Sequence, residues 1–170
     1  MSVAARVDGI DWASWTAVDA ATLLFVVDEP NSAVLLIRKK RGLGKGKITA
    51  PGGRIEPGET PLEGAIREVA EEVCVTALSV TDHGVLRFQF LDGYSLHVHV
   101  FRADTHVGEP QETEEAVPMW LPTHALPFDE MWADDRLWLP HVLARGRIDG
   151  RFVFDGDSLL DHDLCLIPAE

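Results

Sequence analysis

The sequence predicts an α+β fold, and three observations predict it. Short runs of alternating apolar and polar residues recur along the chain. Two segments, near 60–73 and 132–145, carry apolar residues at helical spacing. Strand–helix–strand alternation, the mark of a doubly wound parallel sheet, is absent. At 170 residues the chain suits one domain with one core, spanning 1–170.

The elements follow in order. Residues 1–19 are a mixed segment containing Trp12 and Trp15, placed to cover either the sheet or the site. Thr22–Val27 and Ala33–Arg38 read as strands joined by the turn Asp28-Glu-Pro-Asn-Ser32. Lys39-Lys-Arg-Gly-Leu-Gly-Lys-Gly-Lys47 is a flexible basic loop. Alone it reads as a solvated turn; beside an acidic metal site its cations could meet triphosphate oxygens. Thr60-Pro61-Leu62-Glu63 is a capping box with proline at the first helical position. Leu62, Ile66, Val69 and Val73 then supply an apolar stripe facing the core. Ala77–Leu91 and Ser95–Arg102 pair around Asp92-Gly93. Glu112–Glu115 is an acidic turn before the strand Val117–Leu121. Trp132–Arg145 is mainly helical, with Pro140 arguing for an irregular first part. Arg151–Phe154 and Leu164–Ile167 read as closing strands.

Composition excludes some roles. With 28 acidic against 15 basic residues, the net charge of -13 repels a polynucleotide backbone, but not a nucleotide bridged by a cation. Apolar runs such as Leu23–Val27 are too short to span a bilayer, and the N-terminus has no basic-then-apolar signal segment. Cys74 and Cys165 give neither a metal-type pair nor a disulfide framework. The expected setting is the cytoplasm, as a monomer with a small-molecule partner and no membrane.

The chemistry concentrates between Gly53 and Val75. Glu68, Glu71 and Glu72 are three and four residues apart, so they project together on one helix flank, toward solvent. Like charges so placed repel, and with Glu59 nearby they suit a hard cation, magnesium or alternatively manganese. A solvated acidic face is the competing explanation. The complete pattern decides it: Gly53, Glu59, Arg67-Glu68, Val69, Glu71-Glu72 and Val75 stand at the spacing of the Nudix box, which this chain resembles. One position departs, since Cys74 stands where that family has a helix-ending glycine. A left-handed conformation there costs a residue with a side chain about 1–2 kcal/mol.

The resemblance implies the Nudix fold, an α/β/α sandwich around a mixed β-sheet, and hydrolysis of a nucleoside diphosphate linked to another group. It further implies metal ligation by Glu68, Glu71, Glu72 and the Gly53 carbonyl. Glu115 would bind a further ion or act as base, and Arg67 would pair with Glu59 to brace helix and loop.

A second likeness narrows the substrate. Lys39–Gly46, His97-Val-His-Val-Phe101, Pro127–Asp135 with Trp138, and Gly150-Arg-Phe-Val-Phe154 look like the animal oxidised-purine nucleoside triphosphatases, homologues of MutT. The likeness runs from about Thr22 to Leu164 and leaves 1–19 outside it. It implies that Trp132 stacks on the purine while Asp134 and Asp135 read its edge, with one carboxyl protonated. Without it, Trp132 is a core residue and the two acids cap the following helix. Thr22 and Phe88 match a pocket threonine and phenylalanine, although Phe88 reads equally well as strand core. Lys39 would meet the phosphates. Thr49 replaces a pocket asparagine and offers a shorter, single hydroxyl; Leu43 replaces a pocket phenylalanine. The histidines, His97 and His99 included, read as structural or surface.

The expected reaction is magnesium-dependent hydrolysis of oxidised or otherwise modified purine nucleoside triphosphates, of the 8-oxo-dGTP or 2-hydroxy-dATP type. Attack at the β-phosphorus would release monophosphate and pyrophosphate. The competing readings are a Nudix hydrolase of another nucleotide (an ordinary dNTP, a methylated purine triphosphate or ADP-ribose) and a non-catalytic ligand sensor.

Overall fold

The computed structural model describes residues 4–170, so the first three residues of the 1–19 extension lie outside the described residues. Eight strands and two α-helices occur in the order β1 (Asp19–Asp28), β2 (Ala33–Lys39), β3 (Ile48–Thr49), α1 (Pro61–Val73), β4 (Thr76–Phe90), β5 (Ser95–Val107), β6 (Ala116–Pro122), α2 (Asp135–Leu143), β7 (Arg147–Asp155) and β8 (Ser158–Ile167). They form one mixed sheet ordered β3-β2-β1-β5-β4-β7-β8, with β6 also on β2. β1 runs parallel to β5 and β4 parallel to β7; the other pairs are antiparallel.

Alternation in β1 builds both faces of the sheet. Leu24 and Val26 pack with Ala65, Val69 and Val73 of α1, whereas Phe25 and Val27 pack with Trp138, Leu139 and Val142 of α2. One helix therefore covers each face, which is the expected sandwich. No helix among the described residues is long and apolar enough to cross a membrane.

The helix α1 begins as its capping box dictates. Thr60 Oγ1 accepts the Glu63 amide at 3.1 Å, and Glu63 accepts the Thr60 amide at 3.4 Å. Its buried stripe differs from the expected one. Ala65, Val69 and Val73 are fully buried and Ile66 partly, while Leu62 in the first turn is 41% exposed. The small Ala65 lets the helix close onto the sheet and leaves Leu62 at the rim. The carboxylates do not all lie toward solvent either, because Glu72 is three residues from Val69 and one from Val73 and is drawn under with them, to 5% exposure.

α2 is shorter than the 132–145 pattern. It starts at Asp135, and Pro140 sits inside it instead of breaking it. The hairpin around Asp92-Gly93 forms; β4 matches the expected strand to within one residue at each end, while β5 runs on past Arg102 to Val107. The tryptophans of the N-terminal segment cover the sheet. Trp12 donates to the Val7 carbonyl at 2.9 Å, Trp15 donates to Gln89 at 2.9 Å, and their rings lie 5.1 Å apart.

Candidate functional site

A cavity of about 450 Å³ opens between the β2–β3 loop, the sheet and the start of α2. Thr22, Lys39, Leu43, Thr49, Phe88, Trp132, Asp134 and Asp135 all line it, and so do Gly52 and Gly53. Residues spread over more than 110 positions are thereby gathered on one wall by the β1–β5 and β4–β7 pairings.

The aromatic end is built in layers. Phe88 stacks on Phe152 at 5.3 Å, so it is packed in the strand core and also faces the cavity. Trp132 is half-buried and meets Phe90 and Phe154 edge-on, at 6.2 and 5.6 Å. Lys47 lies over the same indole, 5.0 Å from its centroid. Gly44 makes this approach feasible, since a Cβ there would come within 2.9 Å of Trp132 Nε1. Leu43 is 45% exposed and closes the wall only partly.

Asp134 and Asp135 are buried at the base of the cavity, 1% and 6% exposed. Asp134 occupies the N-cap position of α2, yet its side chain caps no helical amide. It accepts the Trp138 indole N–H at 2.7 Å instead, so the helix-capping explanation fails for it. Burial raises both carboxyls well above the ordinary range, and the charge on Asp134 raises Asp135 further. The Trp138 donation favours the ionised form of Asp134. The pair thus tends to hold one proton on Asp135, presenting a donor beside an acceptor. Thr22 Oγ1 is buried without a hydrogen-bond partner among the described residues.

Sequence reading missed several wall residues. Phe90 shares a face with Phe88 by strand alternation and pairs with Phe154 across β4–β7. Tyr94 donates to Asp19 at 2.8 Å, and burial with that carboxylate pushes its phenol up to about 12. The alternation was legible for Phe90. Phe154 stood in a segment of the family likeness without a site role, and nothing local marked Tyr94.

The other end of the cavity adjoins a carboxylate cluster. Oxygens of Glu68, Glu72 and Glu115 lie within 4.8 Å of one another. Burial pushes the Glu72 carboxyl up to about 8, with the Glu68 charge adding to it, while the Gly52 amide donates to Glu72 at 3.3 Å. Burial also raises Glu68. Three converging carboxylates, with Glu72 buried and Glu68 and Glu115 half-buried, have the chemistry of a hard-cation site. Gly53 lets the Glu68 carboxyl lie this close to the backbone, since a Cβ there would meet its carboxyl carbon at 2.5 Å and push it aside. The Gly53 carbonyl accepts the Thr22 amide at 2.9 Å, so it already serves the sheet, and the Gly52 peptide is the one that touches Glu72.

Glu71 stands outside this set. Arg67 donates to it at 3.1 Å, to Glu68 at 2.9 Å, and to both Glu59 oxygens at 2.6 and 3.0 Å. These bonds hold the Glu59 carboxyl down, to about 2. The helix ends at Cys74, which adopts the left-handed conformation at φ 63° in place of a glycine. Arg38 of β2 reaches Glu130, and of the loop cations Lys40 reaches Glu112, Arg41 reaches Glu115 and Lys47 reaches Asp157. Lys39 lines the cavity with no carboxylate within ion-pair distance among the described residues. His97 and His99 stack on each other at 4.8 Å and take no part in the cavity wall.

Comparison with known proteins assigns the chain to a family. The NUDIX domain model matches residues 17–142. An oxidized purine nucleoside triphosphate hydrolase of Danio rerio is 42% identical over 145 residues, 84% of this chain and 92% of that protein. The enzyme of the same description from Mus musculus is 38% identical over 133 residues, 77% of this chain and 85% of that one. Among solved structures, a MutT protein from Bacillus halodurans superposes with a TM-score of 0.77 at 30% identity, covering 86% of this chain and 97% of its own. The domain match spans most of the chain and the relatives align along most of their own length: the chain belongs to the Nudix family.

Proposed function

We propose that this protein hydrolyses oxidised or otherwise modified purine nucleoside triphosphates to the monophosphate and pyrophosphate, removing them from the nucleotide pool. The observation that carries the reading is one cavity with an aromatic wall and a buried acid pair at one end and Gly52-Gly53, against the carboxylate cluster, at the other. The two mammalian and fish relatives, named for oxidised purine triphosphates, support the choice of base. The whole chain would act as one domain, a cytoplasmic monomer with a small nucleotide as its partner, engaging neither polynucleotide nor membrane.

Glu68, Glu72 and Glu115 would hold magnesium, or manganese in its place, with a carbonyl of the Gly52-Gly53 turn and Glu71 adding oxygens as the loop adjusts. When bound, such an ion neutralises phosphate oxygens and acidifies water. The chain's own groups do the rest. Trp132 stacks on the purine, Asp134 and Asp135 hydrogen-bond its edge, and Thr22, Thr49, Leu43 and Phe88 shape the wall. Lys39 directs its ammonium at the phosphates. Arg67 braces the helix against the loop through Glu59. A glutamate of the cluster, Glu115 being the more exposed, would accept the proton of the attacking water as its oxygen bonds to the β-phosphorus; the bond from that phosphorus to the α–β bridging oxygen breaks, the nucleoside monophosphate leaves, and the new oxygen stays on the pyrophosphate.

The partial wall at Leu43 and the hydroxyl of Thr49 favour, as a second reading, a Nudix hydrolase of another nucleotide, such as a methylated purine triphosphate. Product analysis tests the proposal. With magnesium, 8-oxo-dGTP should give monophosphate and pyrophosphate, and Glu72→Gln should abolish turnover. Release of inorganic phosphate, or near-normal turnover by the variant, would sink it.

A further inference from the structure

The acidic turn before β6 is fixed by its backbone and loose at its carboxylate. Lys40 donates its amide to the Glu115 carbonyl at 3.0 Å and its ammonium to the Thr113 carbonyl at 2.7 Å. Thr113 Oγ1 accepts the Glu115 amide at 3.2 Å and donates to the Glu72 carbonyl at 2.7 Å. The Glu115 backbone is therefore tied both to β2 and to the last turn of α1. Among the described residues its side chain has one cation within ion-pair distance, Arg41, whose Nη2 lies 2.8 Å from Oε1. Arg41 is 63% exposed at its side chain and has no other carboxylate among the described residues. Its neighbours Lys39 and Gly42 line the cavity.

We propose that Arg41 is the resting counter-ion of Glu115, displaced when a divalent cation binds, and that it then grips the outer phosphates of the substrate. The inference rests on the proposed function and deepens it. An exposed guanidinium–carboxylate pair is weak, so a doubly charged ion takes Glu115 from it readily. The same ion repels the freed guanidinium, while the triphosphate tail offers oxygens that a planar guanidinium binds in pairs. Arg41 thus opposes the metal before the nucleotide arrives and holds the nucleotide afterwards. A purely structural residue would weaken both.

The variant Arg41→Gln separates these roles. Manganese affinity of the nucleotide-free protein, measured by isothermal titration calorimetry, should tighten about 2- to 5-fold as the competing pair is removed. KM for the purine triphosphate should rise by about 10-fold or more, from loss of a charged hydrogen-bonding group, with kcat changed much less. Arg41→Lys should keep the competition with manganese and recover only part of the KM. Unchanged or weakened manganese affinity in Arg41→Gln overturns the proposal, as does an unchanged KM. If the unaltered protein binds no divalent cation or splits no triphosphate, the proposed function falls as well; if it does both, only the role of Arg41 falls.

Discussion

Glu72→Gln tests the electrostatics of the carboxylate cluster without requiring a substrate. The Glu72 carboxyl is raised from 4.5 to about 8 by burial and by the Glu68 charge. In the unfolded chain it titrates near its ordinary value. As pH rises between those two values, the unfolded state releases the proton first, so the metal-free folded state loses stability. Applied between pH 5 and pH 7.5, this shift removes about 3 kcal/mol. Glutamine keeps the shape and can still accept from Gly52, but carries no proton to lose. In chelator, the stability of the variant relative to the unaltered protein should therefore grow by about 3 kcal/mol over that interval, roughly 6–12 °C in Tm for a domain of this size. Urea and thermal unfolding at pH 5, 6, 6.75 and 7.5 would read it. Magnesium at pH 7.5 should stabilise the unaltered protein and do little for the variant. A difference between the two proteins that stays constant across pH would refute the reasoning, because burial would then not be opposing the charge.

Two further substitutions probe other parts of the site. Trp132→Ala should weaken purine triphosphate binding by about 1–3 kcal/mol, the worth of one base-stacking contact, seen as a raised KM with the metal affinity unaltered. Cys74→Gly should stabilise the protein by about 0.5–1 kcal/mol: it relieves the left-handed side-chain cost at φ 63°, less the entropy that glycine adds to the unfolded chain. A Tm that falls on this change would show that the Cys74 side chain contributes packing worth more than the strain.

What the sequence made legible was mostly local. The Thr60-Pro61-Leu62-Glu63 box sets the start of α1 within its own first turn, and the Asp92-Gly93 turn sets its hairpin, so both could be read directly. The Gly53–Val75 spacing likewise announced a carboxylate helix. It did not announce which carboxylates would meet. Glu72 goes under with Val69 and Val73, and Glu115 arrives from a turn more than forty residues away, held by Thr113 on the Glu72 carbonyl. Glu71, equivalent by helical spacing, turns to Arg67 instead. Those outcomes depend on how the helix rolls against the sheet.

The base pocket follows the same division. The likeness over Pro127–Asp135 pointed to Trp132, Asp134 and Asp135, and all three line the cavity. That Asp134 turns from the helix amides to the Trp138 indole was not legible. Two plausible partners compete for that carboxylate, and only burial of Trp138 beside Phe25 decides between them. Tyr94 and Phe154 join the wall through pairings of β4 with β5 and β7, whose register is set over distances that no local pattern records.

The central claim is selection of a modified purine by the Trp132–Asp134–Asp135 end of the cavity. The most direct measurement is kcat/KM with magnesium for 8-oxo-dGTP, 2-hydroxy-dATP, a methylated purine triphosphate, dGTP and ADP-ribose. A second Trp132→Ala series would tie any selectivity to the pocket. The account predicts that an oxidised purine triphosphate exceeds dGTP by about 10-fold or more, the scale of one well-placed hydrogen-bonding difference. Equal turnover of dGTP, or preference for ADP-ribose, would contradict it.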